Sequence, residues 1–261
     1  VDQEVEAMTP MLQARGVGKR FGAVVAAAEI HIDIAAGERV SLIGSNGAGK
    51  TTFVNMITGY LKPDEGQILL AGRDITALAP RDITRQGVAR SFQIPQLYGA
   101  LSVLENMLVA TACHDNALSF WHSARRAAAV ERADALLQRF RLDEHRERRV
   151  AELPGGVRKL LDIAMAMTGQ PKLLLLDEPT SGVSADEKFP MMDIVMGALG
   201  QETREREMTV LFVEHDMDIV ERYASRVVAF YSGRIIADGE PKSALATDDV
   251  RRYVTGELVA E

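Results

Sequence analysis

Residues 44–52 read Gly44-Ser45-Asn46-Gly47-Ala48-Gly49-Lys50-Thr51-Thr52, and their types and spacing suit one task, the holding of a chain of phosphates. The Gly44-x4-Gly49-Lys50-Thr51 pattern lets successive backbone N–H groups curl round a triphosphate. Lys50 then reaches the β and γ oxygens, and the Thr51 hydroxyl is available to a Mg²⁺ ion. Further along, Leu173-Leu-Leu-Leu-Asp177-Glu178 is an apolar run that ends in two carboxylates. Asp177 is suited to bind Mg²⁺ directly or through water. Glu178, on the opposite side of an extended chain, is suited to polarise a water for in-line attack on the γ-phosphate. Walker A and Walker B patterns together describe a protein that binds and hydrolyses a nucleoside triphosphate.

Such residues work only if the backbone aims them. The stretch 37–43 reads as a buried strand running into the phosphate loop and 51–60 as a helix leaving it, an order that points a helix N-terminus at the phosphates. Up to about residue 72, short β-rich runs (11–15, 40–43, 67–70) alternate with glycine turns. Between about 93 and 157 the character becomes helical, with helices expected over 102–113 and 124–140. The α/β alternation then resumes, with strands over 172–177, 209–214 and 226–231, a helix over 186–199 with Pro190 in its first turns, and a final polar helix over 242–255. The arginine-rich patch 139–149 is interspersed with Asp143, Glu144 and Glu147, so it reads as a solvated helix end and not as a polyanion site.

Composition bounds the function. The 261 residues suffice for a full core, and 47% hydrophobic with 26% charged residues is the balance of a folded soluble protein. A net charge of −7 argues against a nucleic-acid surface, which needs clustered positive charge. The single cysteine, Cys113, excludes disulfides within the chain and suits a reducing compartment. No apolar run is long enough to span a bilayer, and the acidic residues Val1-Asp-Gln-Glu-Val-Glu-Ala lack the features of a signal peptide. These features place the chain in the cytoplasm.

Three further features turn these motifs into a family resemblance. Gln93 follows Val88-Ala-Arg-Ser-Phe as in a Q-loop. Leu153-Pro-Gly-Gly-Val stands ahead of Leu173 where a Leu-Ser-Gly-Gly-Gln signature belongs, and His215 follows the strand at 209–214 like a switch histidine. With Pro179-Thr-Ser-Gly182, the set resembles an ATP-binding-cassette ATPase over the whole chain. Val88-Ala-Arg-Ser-Phe-Gln, Leu101-Ser-Val-Leu-Glu-Asn-Met-Leu-Val-Ala, Val213-Glu-His-Asp-Met and Val250-Arg-Arg-Tyr-Val-Thr-Gly-Glu further resemble the ATPase subunits of branched-chain amino-acid importers, whose relatives take urea, amides and some aromatic acids. Lipopolysaccharide-transport ATPases share part of this pattern, so an exporter or lipopolysaccharide-type cassette is the alternative.

The resemblance implies an α/β fold: a phosphate-loop core with a mostly parallel sheet, an antiparallel β portion near the N-terminus and a helical subdomain. It implies one domain over 10–256, with a core of 10–93 and 158–240, the helical subdomain at 94–157 and a C-terminal helix and tail at 241–261. Phe21 takes the position of the aromatic that stacks on adenine. Gln93 would sense Mg²⁺ and the attacking water, and Thr51 and Asp177 would complete the metal's protein ligands. His215 would bond the γ-phosphate. Pro154, Gly155 and Gly156 would face the nucleotide of a partner, because two cassettes sandwich two ATP molecules head to tail. The implied partners are a second cassette (a copy or a paralogue), two membrane permease subunits and, through the complex, a periplasmic solute-binding protein. The implied place is the cytoplasmic face of the inner membrane. Three residues depart from the family pattern: Pro154 replaces the signature serine, Val157 the glutamine, and Ser184 an Asp or Asn. None belongs to the hydrolytic set Lys50, Thr51, Gln93, Asp177, Glu178 and His215, so the resemblance implies an active ATPase with a weakened signature half-site.

Overall fold

The computed structural model describes residues 9–114, 127–200 and 208–256. Along the chain run β1 (Leu12–Phe21), β2 (Val24–Ile34), β3 (Arg39–Gly44), α1 (Lys50–Ile57), β4 (Glu65–Leu70), β5 (Arg73–Asp74), α2 (Pro80–Arg85) and β6 (Val88–Ser91). Then come α3 (Val103–His114), α4 (Ala127–Arg139), α5 (Gly155–Ala166), β7 (Leu173–Asp177), α6 (Ala185–Gly200), β8 (Thr209–Val213) and α7 (Met217–Tyr223). The chain closes with β9 (Arg226–Tyr231), β10 (Arg234–Gly239) and α8 (Pro241–Leu245). The chain divides into two compact units, one of residues up to Gln86 together with those from Ala224 onward, the other Gly87–Tyr223.

In the first unit, β2, β1, β4 and β5 form an antiparallel sheet in that order. Its register follows from alternation: Ile30, Ile32 and Ile34 are buried while Glu29, His31 and Asp33 face outward. The same unit pairs β3 in parallel with β9, and β9 antiparallel with β10. From Val40 to Gly44 every residue of β3 is buried, the near-continuous apolar run of a strand covered on both faces.

In the second unit, β6, β7 and β8 run parallel, with β7 in the middle and buried throughout. Side chains mark the starts of two of its helices. Ser102 Oγ accepts from the Glu105 N–H at 3.1 Å while the Glu105 carboxylate accepts from the Ser102 N–H at 2.8 Å, a reciprocal capping box ahead of α3. Ser184, at the position where the family carries Asp or Asn, donates its hydroxyl to Glu187 at 2.8 Å at the start of α6.

The α/β class, the parallel core strands and the antiparallel N-terminal portion are those expected from sequence. Several local expectations change. The helix after the phosphate loop begins at Lys50 and ends at Ile57, because Thr58 turns its hydroxyl onto the Val54 carbonyl and Gly59 takes a left-handed conformation. The helix expected over 124–140 is described from Ala127 to Arg139; residues 124–126 lie outside the described residues. The single helix expected over 242–255 is broken. It stops at Leu245, Thr247 turns extended, and the chain restarts in two short helical turns at Asp248–Val250 and Arg251–Thr255. The patch 139–149 is, as expected, mostly exposed, at Arg141, Asp143, Glu144, Glu147, Arg148 and Arg149, while Arg139 donates to the Ala198 carbonyl at 2.5 Å and Arg146 to Asp134 at 2.7 Å.

Asn106 of α3 is fully buried and completely used. Its Oδ1 accepts from the Tyr98 N–H at 2.9 Å, and its Nδ2 donates to the Tyr98 and Ser102 carbonyls at 3.1 and 2.8 Å. It therefore fixes the connection that leads from Gln93 into α3. Asn106→Ala should lower unfolding free energy by about 1–3 kcal/mol, the cost of orphaned buried backbone groups, measured by chemical denaturation.

Candidate functional site

The first unit supplies a phosphate cradle. β3 ends at Gly44, whose φ is +148° and where a Cβ would lie 2.4 Å from the Phe230 carbonyl oxygen. Gly49 has φ +109°, and a Cβ there would lie 2.6 Å from the Ala26 carbonyl oxygen. Any side chain at either position would push the loop off the strands beneath it. The loop is tied down by Gly233, whose N–H donates to the Ala48 carbonyl at 2.9 Å and whose carbonyl accepts from the Ala28 N–H at 2.8 Å. The Phe53 N–H donates to the Gly49 carbonyl at 2.9 Å, the first full helical bond of α1. That bond sets the helix N-terminus beside the loop, the end of a helix that suits an anion. Lys50 is buried and donates to the Gly44 and Ser45 carbonyls at 2.6 and 3.1 Å, holding its ammonium inside the arch. Ser45, Asn46, Gly47 and Thr51 are exposed around it.

Phe21, at the tip of the β1–β2 hairpin, is 52% exposed, and Val24 and Val25 beside it are exposed too. It is no core phenylalanine, and its open ring face is the surface on which a purine could stack.

The second unit supplies the carboxylates. β7 delivers Asp177, whose Oδ2 accepts from Arg90 at 2.5 Å. Glu178 does not continue the strand as expected: its φ is +46°, a left-handed conformation costly for a non-glycine residue. The turn is held by the Glu178 N–H, which donates to the Val213 carbonyl at 3.0 Å. It also brings the side chain into a three-residue cluster. Glu178 Oε1 lies 3.1 Å from His215 Nε2, and Oε2 accepts from the Gln93 amide NH₂. With its NH₂ turned to Glu178, Gln93 presents its carbonyl oxygen elsewhere, and that oxygen is the one atom of the amide able to ligate a cation.

Glu214, buried beside His215, had no role assigned from sequence. It accepts from the Thr180 N–H and hydroxyl at 3.0 and 2.7 Å and from the His215 N–H at 3.1 Å, and so fixes the turn after Glu178 and the backbone of His215 together. Arg90, Lys159 and Asp162 were likewise missed. A charged residue after an apolar run is the available signal: the sequence places Glu214 in the strand 209–214, whereas the strand ends at Val213.

The signature segment leads into α5. Pro154 is the N-cap, one residue earlier than the first helical position that suits proline best, and its carbonyl accepts from the Arg158 N–H at 3.1 Å. Gly155 and Gly156 form the first turn, and neither is required by packing within the chain. A Cβ at Gly156 would meet nothing within 4 Å, and one at Gly155 only the Gly182 carbonyl oxygen at 4.0 Å.

The donor set fits a magnesium nucleotide. In the first unit a backbone cradle with no room for a Cβ at Gly44 or Gly49 meets the needs of phosphates, and the Thr51 hydroxyl beside it is a hard oxygen of the kind Mg²⁺ selects; in the second unit the Gln93 amide and the Asp177 carboxylate offer oxygens of the same kind.

Comparison with known proteins agrees with this geometry. A family model described as ABC transporter matches residues 27–181. The chain is 36% identical over 256 residues to the high-affinity branched-chain amino acid transport ATP-binding protein LivG of Escherichia coli (strain K12), covering 95% of this chain and 98% of that one. It is 34% identical over 257 residues to BraF of Pseudomonas aeruginosa, which bears the same description, with 95% and 98% coverage. Among solved structures, the ADP conformation of MJ1267, an ATP-binding cassette of an ABC transporter, superposes with a TM-score of 0.82 at 31% identity over 93% of this chain and 97% of that one. A phosphate loop, a carboxylate cluster and full-length similarity thus converge, and the chain belongs to the ABC-transporter ATPases, an ATP-binding cassette that hydrolyses ATP.

Proposed function

We propose that this chain is the ATPase subunit of an importer for branched-chain amino acids or related small polar or amide solutes, working at the cytoplasmic face of the inner membrane. Full-length similarity to the two transport ATP-binding proteins supports the solute class. Among the described residues no helix is long and apolar enough to cross a membrane, so in this reading transport requires separate permease subunits. Ile94 and Tyr98, just after Gln93, are 74% and 55% exposed. Ile94 also lines a groove of about 490 Å³, with Leu97, Val150 and Lys159. Large apolar side chains in water favour a protein partner, and in this reading that partner is the permease. A periplasmic solute-binding protein would deliver the solute to it.

The hydrolytic reading rests on one observation, the convergence of Gln93 and His215 on Glu178. In it, Phe21 stacks on adenine, while the amides of residues 44–52 and Lys50 hold the phosphates. Glu178 orients the attacking water and accepts its proton. Gln93 and His215 fix the two carboxylate oxygens, and His215 also reaches the γ-phosphate. Thr51, Asp177 and Gln93 would hold Mg²⁺, which when bound offsets the charge that develops on the transferred phosphoryl group. The cassette works as a pair, of two copies or with a paralogue, and Pro154, Gly155 and Gly156 face the nucleotide of the other member. The division into a core (10–93 and 158–240), a helical part (94–157) and a C-terminal segment (241–261) belongs to the same reading.

Glu178→Gln keeps the shape of the side chain and removes the base. ATP should still bind, while turnover of the purified chain falls by about 10²-fold or more. Turnover close to that of the unchanged chain would remove Glu178 from the mechanism.

The open space at Gly156 yields a prediction with two opposite signs. Gly156→Ala should raise unfolding free energy by about 0.5–1 kcal/mol, because alanine suits a helix better than glycine. Made together with Glu178→Gln, which lets the ATP-bound pair accumulate, it should weaken that association on a sizing column. Unchanged association would mean that the first turn of α5 faces no nucleotide.

A further inference from the structure

The helix that starts at the signature glycines carries two charges that the hydrolytic reading leaves unused. Lys159 and Asp162 lie three residues apart on α5, hence on one side of it, and both are buried, Lys159 to 3% exposure. Lys159 Nζ donates to three backbone carbonyls: Gln93 at 2.5 Å, Glu178 at 3.2 Å and Phe92 at 3.3 Å. That employs all three of its N–H groups. Asp162 accepts from the Ser91 hydroxyl at 2.7 Å, the Phe92 N–H at 3.1 Å and the Gln96 N–H at 3.2 Å. Burial pushes the Lys159 ammonium below its ordinary range, against the pull of Asp162, Asp177, Glu178 and Glu214. Burial likewise pushes the Asp162 carboxyl up.

A buried charge is costly unless its hydrogen bonds are made, and here they go to the main chain of other segments and to the Ser91 hydroxyl. The partners indicate what the pair accomplishes. Lys159 ties the backbone of Gln93 to the backbone of Glu178, the two residues whose side chains meet, and Asp162 anchors the segment on either side of Gln93.

We infer that Lys159 and Asp162 are positioning residues for ATP hydrolysis, holding the main chain of Gln93 and Glu178 at the separation their side-chain contact requires. This rests on the reading of Glu178 as the base. Lys159 touches no reacting atom; it acts through the two residues that do.

The test compares Lys159→Met and Lys159→Arg in the full chain, measuring ATP turnover, ATP dissociation constant by equilibrium binding, and thermal unfolding. Lys159→Met should lower kcat by about 10²-fold, the scale expected when reacting groups shift by about 1 Å. The dissociation constant should stay as in the unchanged chain, and Lys159→Arg, which keeps the donors, should restore most of the rate. Should Lys159→Met fail to fold, Asp162→Asn is the substitute, with kcat reduced at unchanged ATP affinity. The inference is overturned by unchanged kcat in Lys159→Met or Asp162→Asn. It is equally overturned if rate, affinity and unfolding temperature all fall together and Lys159→Arg recovers none of them. Combining Lys159→Met with Glu178→Gln separates the two readings. No further loss supports positioning through Glu178, whereas normal turnover by Glu178→Gln alone would mean that the reading of the base has failed.

Discussion

Glu178 must keep a fixed direction while staying open to water, and it stands one residue beyond a strand in which every side chain is buried. A residue continuing that strand would follow its alternation and leave the carboxylate wherever the pleat sent it. The left-handed turn at Glu178 breaks the alternation, and the surrounding contacts hold the turn in place. The Val213 carbonyl takes its N–H, Lys159 takes its carbonyl, and Gln93 and His215 take its two carboxylate oxygens. Strained backbone at a working residue persists only when its neighbours over-determine it, and here they come from three separate stretches of chain.

The same unit concentrates charge out of water to an unusual degree. Lys159, Asp162, Asp177 and Glu214 are all buried polar residues, and Lys159, Asp162 and Glu214 each make three hydrogen bonds. A network of this kind is costly when incomplete and rigid when complete. Thr180 illustrates the consequence. Both its N–H and its hydroxyl bond Glu214, which also takes the His215 N–H, so the turn after Glu178 and the histidine that faces it share one buried anchor. The Ser184 departure lies just beyond that turn, and its hydroxyl donates to the Glu187 carboxylate, a bond that an ionised Asp has no proton to make.

The sequence exposes the parts whose chemistry is carried by side-chain type. Glycines at fixed offsets before a lysine and a threonine, two carboxylates after an apolar run, and a lone glutamine and histidine in the right order all announce a phosphate-handling site. The isoleucine alternation of β2 was equally open to reading, yet only the general β character of the region was drawn from it. The C-terminal break was marked by Thr247-Asp248-Asp249, a helix-starting signal, against which helical periodicity was allowed to prevail. Other features leave no mark in a sequence. Nothing distinguishes a glutamate that will turn left-handed from one that will not. Lys159 and Asp162 look like an ordinary i,i+3 surface pair, because what they hold is the backbone of residues remote along the chain. Legibility ended where function passes from side chains to main-chain atoms.

If Gln93 and His215 act chiefly by holding Glu178, removing His215 should cost far more while Glu178 is there to be held. The direct measurement is the single-turnover rate of ATP hydrolysis for the unchanged chain, His215→Ala, Glu178→Gln and the double variant, since residues that act as one unit are strongly non-additive. The expected result is a large loss from His215→Ala alone and a much smaller one, that of its contact with the γ-phosphate, when it is added to Glu178→Gln. An equal loss in both backgrounds would show that His215 works independently of Glu178 and would contradict the account.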